Sequence, residues 1–259
     1  MTADSPAAVN CAAVEIWKLI VDEGLPLAPA ASFDGFGRHD GRGWLEFHDG
    51  VSNLETDQRA AAVIAGDDPP WMAGGTYMAF LRLRVDLRAW RERSRTEQEL
   101  VIGRDKLSGA GLSAVEVNDD GQPRPRVADP APESDSPQWR DPPQTTDPLL
   151  EASHIHRANQ TRASAFAPGA LRMFRQGYDY LEQLGPQGVV VGLNFVSFQR
   201  DLRVLHEVLH LPGWLGDSNF GGLAEDGPEA SPLITLAAGG LYAVPPRERP
   251  FPGADLFSV

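Results

Sequence analysis

The sequence predicts an α+β fold in which one antiparallel sheet carries its helices on one face. Strand-like patterns of apolar and β-branched residues occur at residues 76–85, 172–180, 189–198 and 237–244. Helical patterns lie between them, at residues 87–102 and 201–210. The order β-α-β-β-α-β is that of a ferredoxin-like sheet. We expect the face of the sheet opposite the helices to be free to carry a flat ligand.

The helical segment 87–102 contains a second helix start. Ser94 and Glu97 have the spacing of a capping box, which predicts that a shorter helix begins there. A further helix is predicted near the N-terminus, at residues 10–21. Its apolar residues at helical spacing predict one buried face, formed by Ala13, Ile16, Trp17 and Ile20.

On the sequence, the chain divides into three regions. Residues 1–32 contain the N-terminal helix, residues 33–74 are rich in Gly and Asp at their start and favour a shaped loop, and residues 75–259 form the sheet domain. Residues 114–148 interrupt that domain with Pro, Asp and Ser and show no hydrophobic period. We interpret this Pro-rich insertion as an excursion from the domain that is mobile or lies over its surface.

Composition excludes several classes of partner. The formal net charge of -13 argues against nucleic acid or an anionic membrane, because either would repel the surface. The single cysteine, Cys11, excludes internal disulfides. There is no apolar run of about 18 residues, and the first residues lack the zones of a signal peptide. The sequence therefore predicts a soluble cytoplasmic protein.

The histidines define the candidate sites. His154 and His156 lie together in the segment SHIHRANQ, shortly before a predicted strand. His206 and His210 enclose Glu207 in the pattern H-E-x-x-H on a predicted helix, which is typical of zinc hydrolases. No histidine stands at the position of a third ligand in the longer form of this motif. The zinc site is the weaker alternative.

Four separated segments are similar to motifs of the dye-decolorizing (DyP-type) haem peroxidase family, mainly of its C-terminal, haem-binding half. They are FHDGVSNL at 47–54, SHIHRANQ at 153–160, MFRQGYDY at 173–180 and NFVSFQRDL at 194–202. The segments follow the order of the family motifs, and the similarity extends from about residue 33 to the C-terminus. The resemblance implies a fold of the dimeric α+β barrel type, with the distal loop of the pocket in residues 33–74.

The resemblance also implies a haem b site. His154 is the implied proximal iron ligand, because ferric haem needs one strong axial donor and keeps its other face open for peroxide. Asp49 is the implied acid-base group, and Arg175 is the implied stabiliser of charge on the departing oxygen. Arg157 and Asn53, in the same motifs, are expected to contact the cofactor. Hydrogen peroxide and an organic reductant are the implied substrates.

Four positions depart from the family pattern. Glu46 replaces the first glycine of the distal loop; if that position needs a positive φ, a side chain there costs about 1–2 kcal/mol and could displace Asp49. His156, Gln160 and Gln176 replace an Arg, a Pro and an Arg respectively. We expect these three changes to alter the polarity of the pocket and its contacts with the cofactor.

Two alternatives follow from the resemblance. Family members usually contain two ferredoxin-like halves, and the helix at 10–21 resembles a remnant of the first. We therefore expect an exposed apolar surface that a second copy or another chain covers, unless the sequence is a truncated product. The departures also leave open a haem-binding protein without turnover, for storage, sensing or delivery. Glu207 and Asp217 are both candidates to accept the second N–H of the proximal imidazole.

Overall fold

The computed structural model describes residues 1–28, 30–67, 69–128, 130–134, 136–158, 171–186, 188–209, 233–247 and 252–257. The chain divides into two compact units, Met1–Asp34 and Gly35–Val259. The smaller unit contains one long helix, and the larger unit contains the sheet. No helix in the described ranges is long and apolar enough to cross a membrane.

The helices are α1 (Pro6–Asp22), α2 (Thr56–Val63), α3 (Leu87–Glu92), α4 (Arg95–Ile102), α5 (Pro137–Arg140), α6 (Pro148–Glu151), α7 (His154–Arg157) and α8 (Leu202–Leu209). The strands are β1 (Thr76–Val85), β2 (Leu112–Val117), β3 (Pro123–Val127), β4 (Phe174–Gly185), β5 (Gly188–Gln199) and β6 (Ile234–Val244). Short 3-10 turns occupy Pro70–Met72 and Ala254–Phe257.

Four strands form one antiparallel sheet in the order β4-β5-β1-β6. The central strand β1 places Leu83 beside Leu193 of β5 and beside Leu236 of β6. With α3 and α4 after β1, and α8 after β5, the order is ferredoxin-like, as predicted. The predicted bounds of β1 agree with the structure, whereas β4 continues past residue 180 because it forms a hairpin with β5 that ends at Gly185 and Gly188.

The predicted restart of the helix after β1 is confirmed. The hydroxyl of Ser94 accepts a hydrogen bond from the backbone N–H of Glu97, and the Glu97 carboxylate accepts one from the backbone N–H of Ser94. This reciprocal pairing satisfies two N–H groups that have no partner within a helix. Gly103 ends α4 in the left-handed region, with φ 87°.

The main core lies between the sheet and the helices. On the sheet it contains Leu81, Leu83 and Phe195, all less than a tenth exposed. The helices contribute Trp90, Val101, Val204, Leu205 and Val208 to the same cluster. Alternation along the strands directs every second side chain into this layer.

The interpretation of residues 114–148 as an excursion from the domain is wrong for much of that segment. β2 and β3 form an antiparallel hairpin, whose Val115 and Val127 pack against a second buried cluster of Leu100, Leu112 and Leu150. Further on, Trp139 is 6% exposed, and its indole N–H donates to the carbonyl of Ser108 at 2.9 Å. The hydrophobic period was too short to recognise because a two-stranded ribbon buries only a few side chains, and prolines are tolerated on its edges.

In the smaller unit, α1 confirms the predicted N-terminal helix and begins four residues earlier than expected. Ser5 caps it by accepting a hydrogen bond from Ala8 N–H at 3.2 Å. The predicted buried face is wrong, since no residue of α1 is buried. Ile16 and Trp17 are 48% and 54% exposed. The helical period correctly predicted the helix but could not show whether its apolar side has a partner.

Candidate functional site

A cavity of about 270 Å³ opens between the sheet and the helices of the larger unit. Its apolar walls include Leu81, Leu83, Leu193 and Phe195 from the sheet, and Leu205, Val208 and Leu209 from α8. The polar side chains that line it are those of Asp49, Arg104, His154, Arg172, Arg175 and Asp179. The cavity is on the face that carries the helices, so the expectation that a ligand would use the opposite face is wrong.

His154 and His156 lie in the same short helix, but their surroundings differ. His154 is the first residue of α7, is half-buried and lines the cavity. Both ring nitrogens of His156 are engaged, Nδ1 with the hydroxyl of Ser153 at 2.9 Å and Nε2 with the carbonyl of Pro143 at 3.0 Å. Burial lowers the pKa of His156, which favours its neutral form. Of these two imidazoles, His154 is therefore the one that lines the cavity.

The sequence left open whether the position of Glu46 needs a positive φ, and in the structure it has one. Its φ is 67°, in the left-handed region. Two contacts stabilise this conformation: the Arg42 guanidinium donates to the carbonyl of Glu46 at 2.6 Å, and the Lys106 ammonium lies 2.7 Å from its carboxylate. The Lys106 contact also lowers the pKa of Glu46. The loop thus keeps a glycine-like turn despite the larger residue.

Asp49 follows three residues later and remains at the cavity. Its backbone N–H donates to the carbonyl of Gly41 at 2.9 Å, and its carboxylate accepts from the N–H of Gly50 at 2.7 Å. A side chain at Gly177 of β4 would bring its Cβ within 2.8 Å of the Asp49 carboxylate. The absence of a side chain at Gly177 is what allows Asp49 to lie against the strand.

Arg104 ties the loop after Asp49 to the segment around Trp139. It is 3% exposed and donates to the carbonyls of Gly109, Trp139 and Arg140 and to the hydroxyl of Ser52. Burial lowers its pKa to about 10, so it remains cationic at neutral pH. One side chain therefore fixes three segments that meet at the distal loop.

Strand alternation brings Arg175, Gly177 and Asp179 to the same side of β4, and all three line the cavity. Burial lowers the pKa of Arg175 to about 10, while the charge of Asp49 opposes that shift. Burial raises the pKa of Asp179 to about 6, and the negative charge of Asp49 adds to the increase. The charge of Asp49 therefore affects the pKa of both Arg175 and Asp179, which lie in β4.

Asn53 and Arg157 were expected to contact a cofactor, and neither is among the residues that line the cavity. Asn53 instead bonds to the backbone of Arg175 and lines a polar crevice of about 410 Å³ outside the distal loop. Asp49 lines both the cavity and this crevice. The distal loop thus separates an apolar cavity from a polar one.

The zinc alternative receives no support from the described part of the chain. His206 is exposed, and the described residues contain no group of three or more His, Cys, Asp or Glu that could hold a metal ion. Glu207 does not line the cavity. Three residues named from the sequence, Gln160, His210 and Asp217, lie outside the described ranges.

Sequence reasoning missed Arg104, Arg172 and Asp179. Asp179 could have been found from the period of two in the pattern Arg175-x-Gly177-x-Asp179, which puts these three residues on one face of a strand. The other two carry no such signal, because arginines near strand and helix ends are usually solvated. Only the tertiary contacts direct them to the cavity.

The chain is similar to known proteins over most of its length. The family model described as "Dyp-type peroxidase, C-terminal" matches residues 40–249. A deferrochelatase from Escherichia coli O6:K15:H31 is 29% identical over 165 residues, which are 61% of this chain and 34% of that protein. A dye-decolorizing peroxidase from Mycolicibacterium paratuberculosis is 37% identical over 89 residues, which are 34% of this chain and 24% of that protein. The matched part thus spans about a third or less of these relatives.

Solved structures show the same fold. DyPB from Rhodococcus jostii RHA1 has a TM-score of 0.60 and 22% identity, covering 90% of this chain and 60% of that one. A DypB variant from the same organism, in complex with heme, has a TM-score of 0.58 and 26% identity, covering 91% and 62% respectively. Because the family model spans well over half of the sequence, the chain belongs to the Dyp-type peroxidase family and contains its C-terminal region.

Proposed function

We propose that this chain binds haem b through His154 and uses it as a peroxidase. The observation that carries the proposal is that one cavity gathers an imidazole, a carboxylate and a guanidinium, those of His154, Asp49 and Arg175. Similarity to a protein named dye-decolorizing peroxidase, and to a structure solved in complex with heme, supports it.

The residues present are suited to haem. The porphyrin is a flat, largely apolar group with two carboxylates, and the cavity offers aliphatic and aromatic walls with cations at their edge. Arg172 lines the cavity, and its Nε is buried without a hydrogen-bond acceptor among the described residues. A propionate would supply that acceptor, because guanidinium groups pair readily with carboxylates. His154 would hold the iron, and Arg172 would hold a propionate.

Haem held by one imidazole supplies an iron that binds and reduces peroxide. On the protein side, we assign proton transfer to Asp49, whose carboxylate takes the proton of the bound peroxide and returns it to the departing oxygen. Arg175 is assigned the electrostatic role, since its cation offsets the negative charge that develops on that oxygen. Asp49 also faces the polar crevice, which gives it contact with water. An organic compound then serves as the reductant.

The proposal is tested by reconstituting the purified chain with haem and mixing it with peroxide. We expect a ferric Soret band, and its change on mixing reports the reaction. Asp49→Asn and Arg175→Leu should retain most of the haem and react about 10²-fold more slowly. Arg88→Leu is the control, because the Arg88 side chain is 91% exposed on α3.

Two outcomes contradict the proposal. A chain that shows no Soret band after reconstitution does not use haem. A haem-loaded chain whose spectrum peroxide leaves unchanged is a haem-binding protein without turnover, the alternative that the sequence left open. Reaction of both variants at the rate of the unsubstituted chain would remove Asp49 and Arg175 from the mechanism.

We further propose that the protein works in association with a second copy or with another chain. Several large apolar side chains of the sheet are exposed, with Leu236 and Leu241 of β6 at 49% and 59% and Leu184 of β4 at 78%. Exposed apolar patches favour association in water. Light scattering should detect a dimer or larger species, and a folded monomer at high dilution would contradict this proposal.

A further inference from the structure

The proposed function gives the polar crevice outside the distal loop no role beyond the contact of Asp49 with water. Its volume of about 410 Å³ lies within the range of small-molecule sites, about 300–1,000 Å³. The walls come from the distal loop, from α2 and from the segment around Trp139. Residues 48–51 of the distal loop line both the crevice and the cavity. A molecule in the crevice is therefore next to the loop that forms part of the cavity wall.

Among the described residues, the carboxylates that line the crevice are those of Asp49 and Glu55. Glu55 forms an ion pair with the guanidinium of Arg140, which also lines the crevice. The Asp49 carboxylate accepts a hydrogen bond from the N–H of Gly50, and its charge interacts with that of Arg175 in the cavity. Each of the two carboxylates thus has a guanidinium group to balance it.

Arg59 of α2 is a further cation of the crevice, and it has no carboxylate partner among the described residues. Its Nε donates to the carbonyl of Leu54 at 3.2 Å, and its guanidinium lies over the ring of Phe174, 4.4 Å from the ring centroid. These two contacts hold the guanidinium in place, and its terminal NH2 groups bond to no other described residue. A guanidinium held in this way is suited to a carboxylate, because the two groups form parallel hydrogen bonds.

Two aromatic rings also line the crevice, those of His48 and Trp139, with their centroids 6.1 Å apart in an edge-to-face arrangement. The indole N–H of Trp139 bonds to the carbonyl of Ser108, and Nε2 of His48 lies 2.9 Å from the guanidinium of Arg42. Both rings are thus fixed by polar contacts. Aromatic side chains pack favourably with a planar ring of a ligand. The crevice therefore combines one unpaired cation with aromatic walls.

We propose that the polar crevice binds the organic reductant, and that Arg59 selects a reductant that carries a carboxylate and has the size of a single-ring aromatic acid. The use of the bound acid as a reductant rests on the proposed function, whereas its binding does not. Arg59 is exposed, so the ion pair is weak and we expect an affinity of about millimolar. With a phenolic acid as reductant, one hydrogen peroxide and two acid molecules give two waters and two phenoxyl radicals, because each acid loses one electron and one proton.

The first experiment measures binding to the purified full chain by ligand-observed NMR titration. The probes are 4-hydroxybenzoate and 4-hydroxybenzamide, which have the same ring and differ in charge. Arg59→Gln should weaken binding of the acid about tenfold and remove the preference for the acid over the amide. Arg88→Gln is the control, because the Arg88 side chain is 91% exposed on α3. Circular dichroism checks that each variant is folded, and the titration needs neither haem nor peroxide.

The second experiment measures steady-state oxidation of the two probes by the haem-loaded chain with peroxide. Arg59→Gln should raise KM for 4-hydroxybenzoate about tenfold with little change in kcat, so that the ratio of KM for the amide to KM for the acid falls toward one. Arg59→Lys keeps a cation and should recover part of the preference for the acid. Added salt should raise KM for the acid in the unsubstituted chain, because it screens an exposed charge.

Two results would overturn the inference. The carboxylate site is wrong if 4-hydroxybenzoate does not bind, or if it binds Arg59→Gln as tightly as the unsubstituted chain. The role as reductant site is wrong if Arg59→Gln oxidises both probes with unchanged KM values, and this result would leave the proposed peroxidase function intact. If the chain does not react with peroxide, the role as reductant site fails with the proposed function, and the NMR titration alone decides whether Arg59 binds the acid.

Discussion

The side chain of Asn53 hydrogen-bonds to both the N–H and the carbonyl of the Arg175 backbone. The side-chain amide of Asn53 donates to the carbonyl of Arg175 at 2.7 Å, and its oxygen accepts from the N–H of Arg175 at 3.0 Å. Among the described strands, β4 lies at an edge of the sheet, so no described strand pairs with these backbone groups. The amide of Asn53 takes the place of such a strand and fixes the point from which the Arg175 side chain enters the cavity.

We expect Asn53→Ala to lower the free energy of unfolding by about 1–3 kcal/mol, because two backbone groups lose their partner. The peroxide reaction should also slow, since Arg175 is no longer held in place, while haem content stays near that of the unsubstituted chain. Denaturant unfolding and stopped-flow mixing measure the two effects. Asn118→Ala is a matched control, because Asn118 bonds two backbone N–H groups in the β2-β3 turn. A slow reaction in both variants would show that lost stability alone explains the effect.

His154 and His156 can be separated by substitution. His154→Ala should lose the side chain that would hold the iron and so change the Soret band and the spin state, because its imidazole lines the cavity. His156→Ala should retain the band and lose stability, since it removes the contacts with Ser153 and Pro143. Absorption spectra of the two reconstituted variants make the comparison. If His156→Ala changes the spectrum and His154→Ala does not, the ligand assignment is wrong.

Glu46→Gly tests the strain in the distal loop. The positive φ of 67° favours glycine. The ion pair between Glu46 and Lys106 offsets only part of this strain, because the Glu46 side chain is largely exposed and an exposed ion pair is weak. We expect the glycine variant to gain about 0.5–1 kcal/mol in free energy of unfolding. Glu46→Ala should lose stability, because it keeps the strain and removes the ion pair. Equal stability of the two variants in denaturant titrations would argue against strain at this position.

The stability of the fold should depend on Asp179 and on pH. A carboxyl whose pKa is raised on folding, here from 3.8 to about 6, destabilises the folded state as pH rises through that range. Asp179→Asn should therefore be more stable than the unsubstituted chain above pH 6 and equal to it near pH 3.5. At about 1.4 kcal/mol per pKa unit the gain has an upper limit of about 3 kcal/mol, and we expect on the order of 1–2. Unfolding at a series of pH values measures it, and a gain that is the same at all pH values would contradict the assignment.

The order of strands and helices was predictable from the sequence because it depends on local periodicity. The strand-like pattern of Thr76–Val85 and the capping box at Ser94 and Glu97 are properties of a few neighbouring residues, and the structure confirms the strand and the cap. Whether position 46 needs a positive φ was left open by the sequence, and the structure shows that it has one. Each of these features is decided by backbone sterics and by hydrogen bonds within one turn or strand.

Other features depended on packing between distant segments. The hairpin of β2 and β3 and the burial of Trp139 could not be inferred, because each is stabilised by contacts with residues far away in the chain. The face of the sheet that carries the cavity was predicted wrongly for the same reason, since the cavity is formed between residues of α8 and residues of β1 and β5.

The sequence by itself determined the ferredoxin-like order of elements and the motifs that contain His154, Asp49 and Arg175. It did so because strand alternation, helix caps and motif residues are set by neighbours along the chain. Only the tertiary structure decided that Asn53 supports Arg175 and that the charge of Asp49 raises the pKa of Asp179. These relationships join loop and strand residues more than 100 positions apart, so they exist only once the chain has folded and brought these groups together.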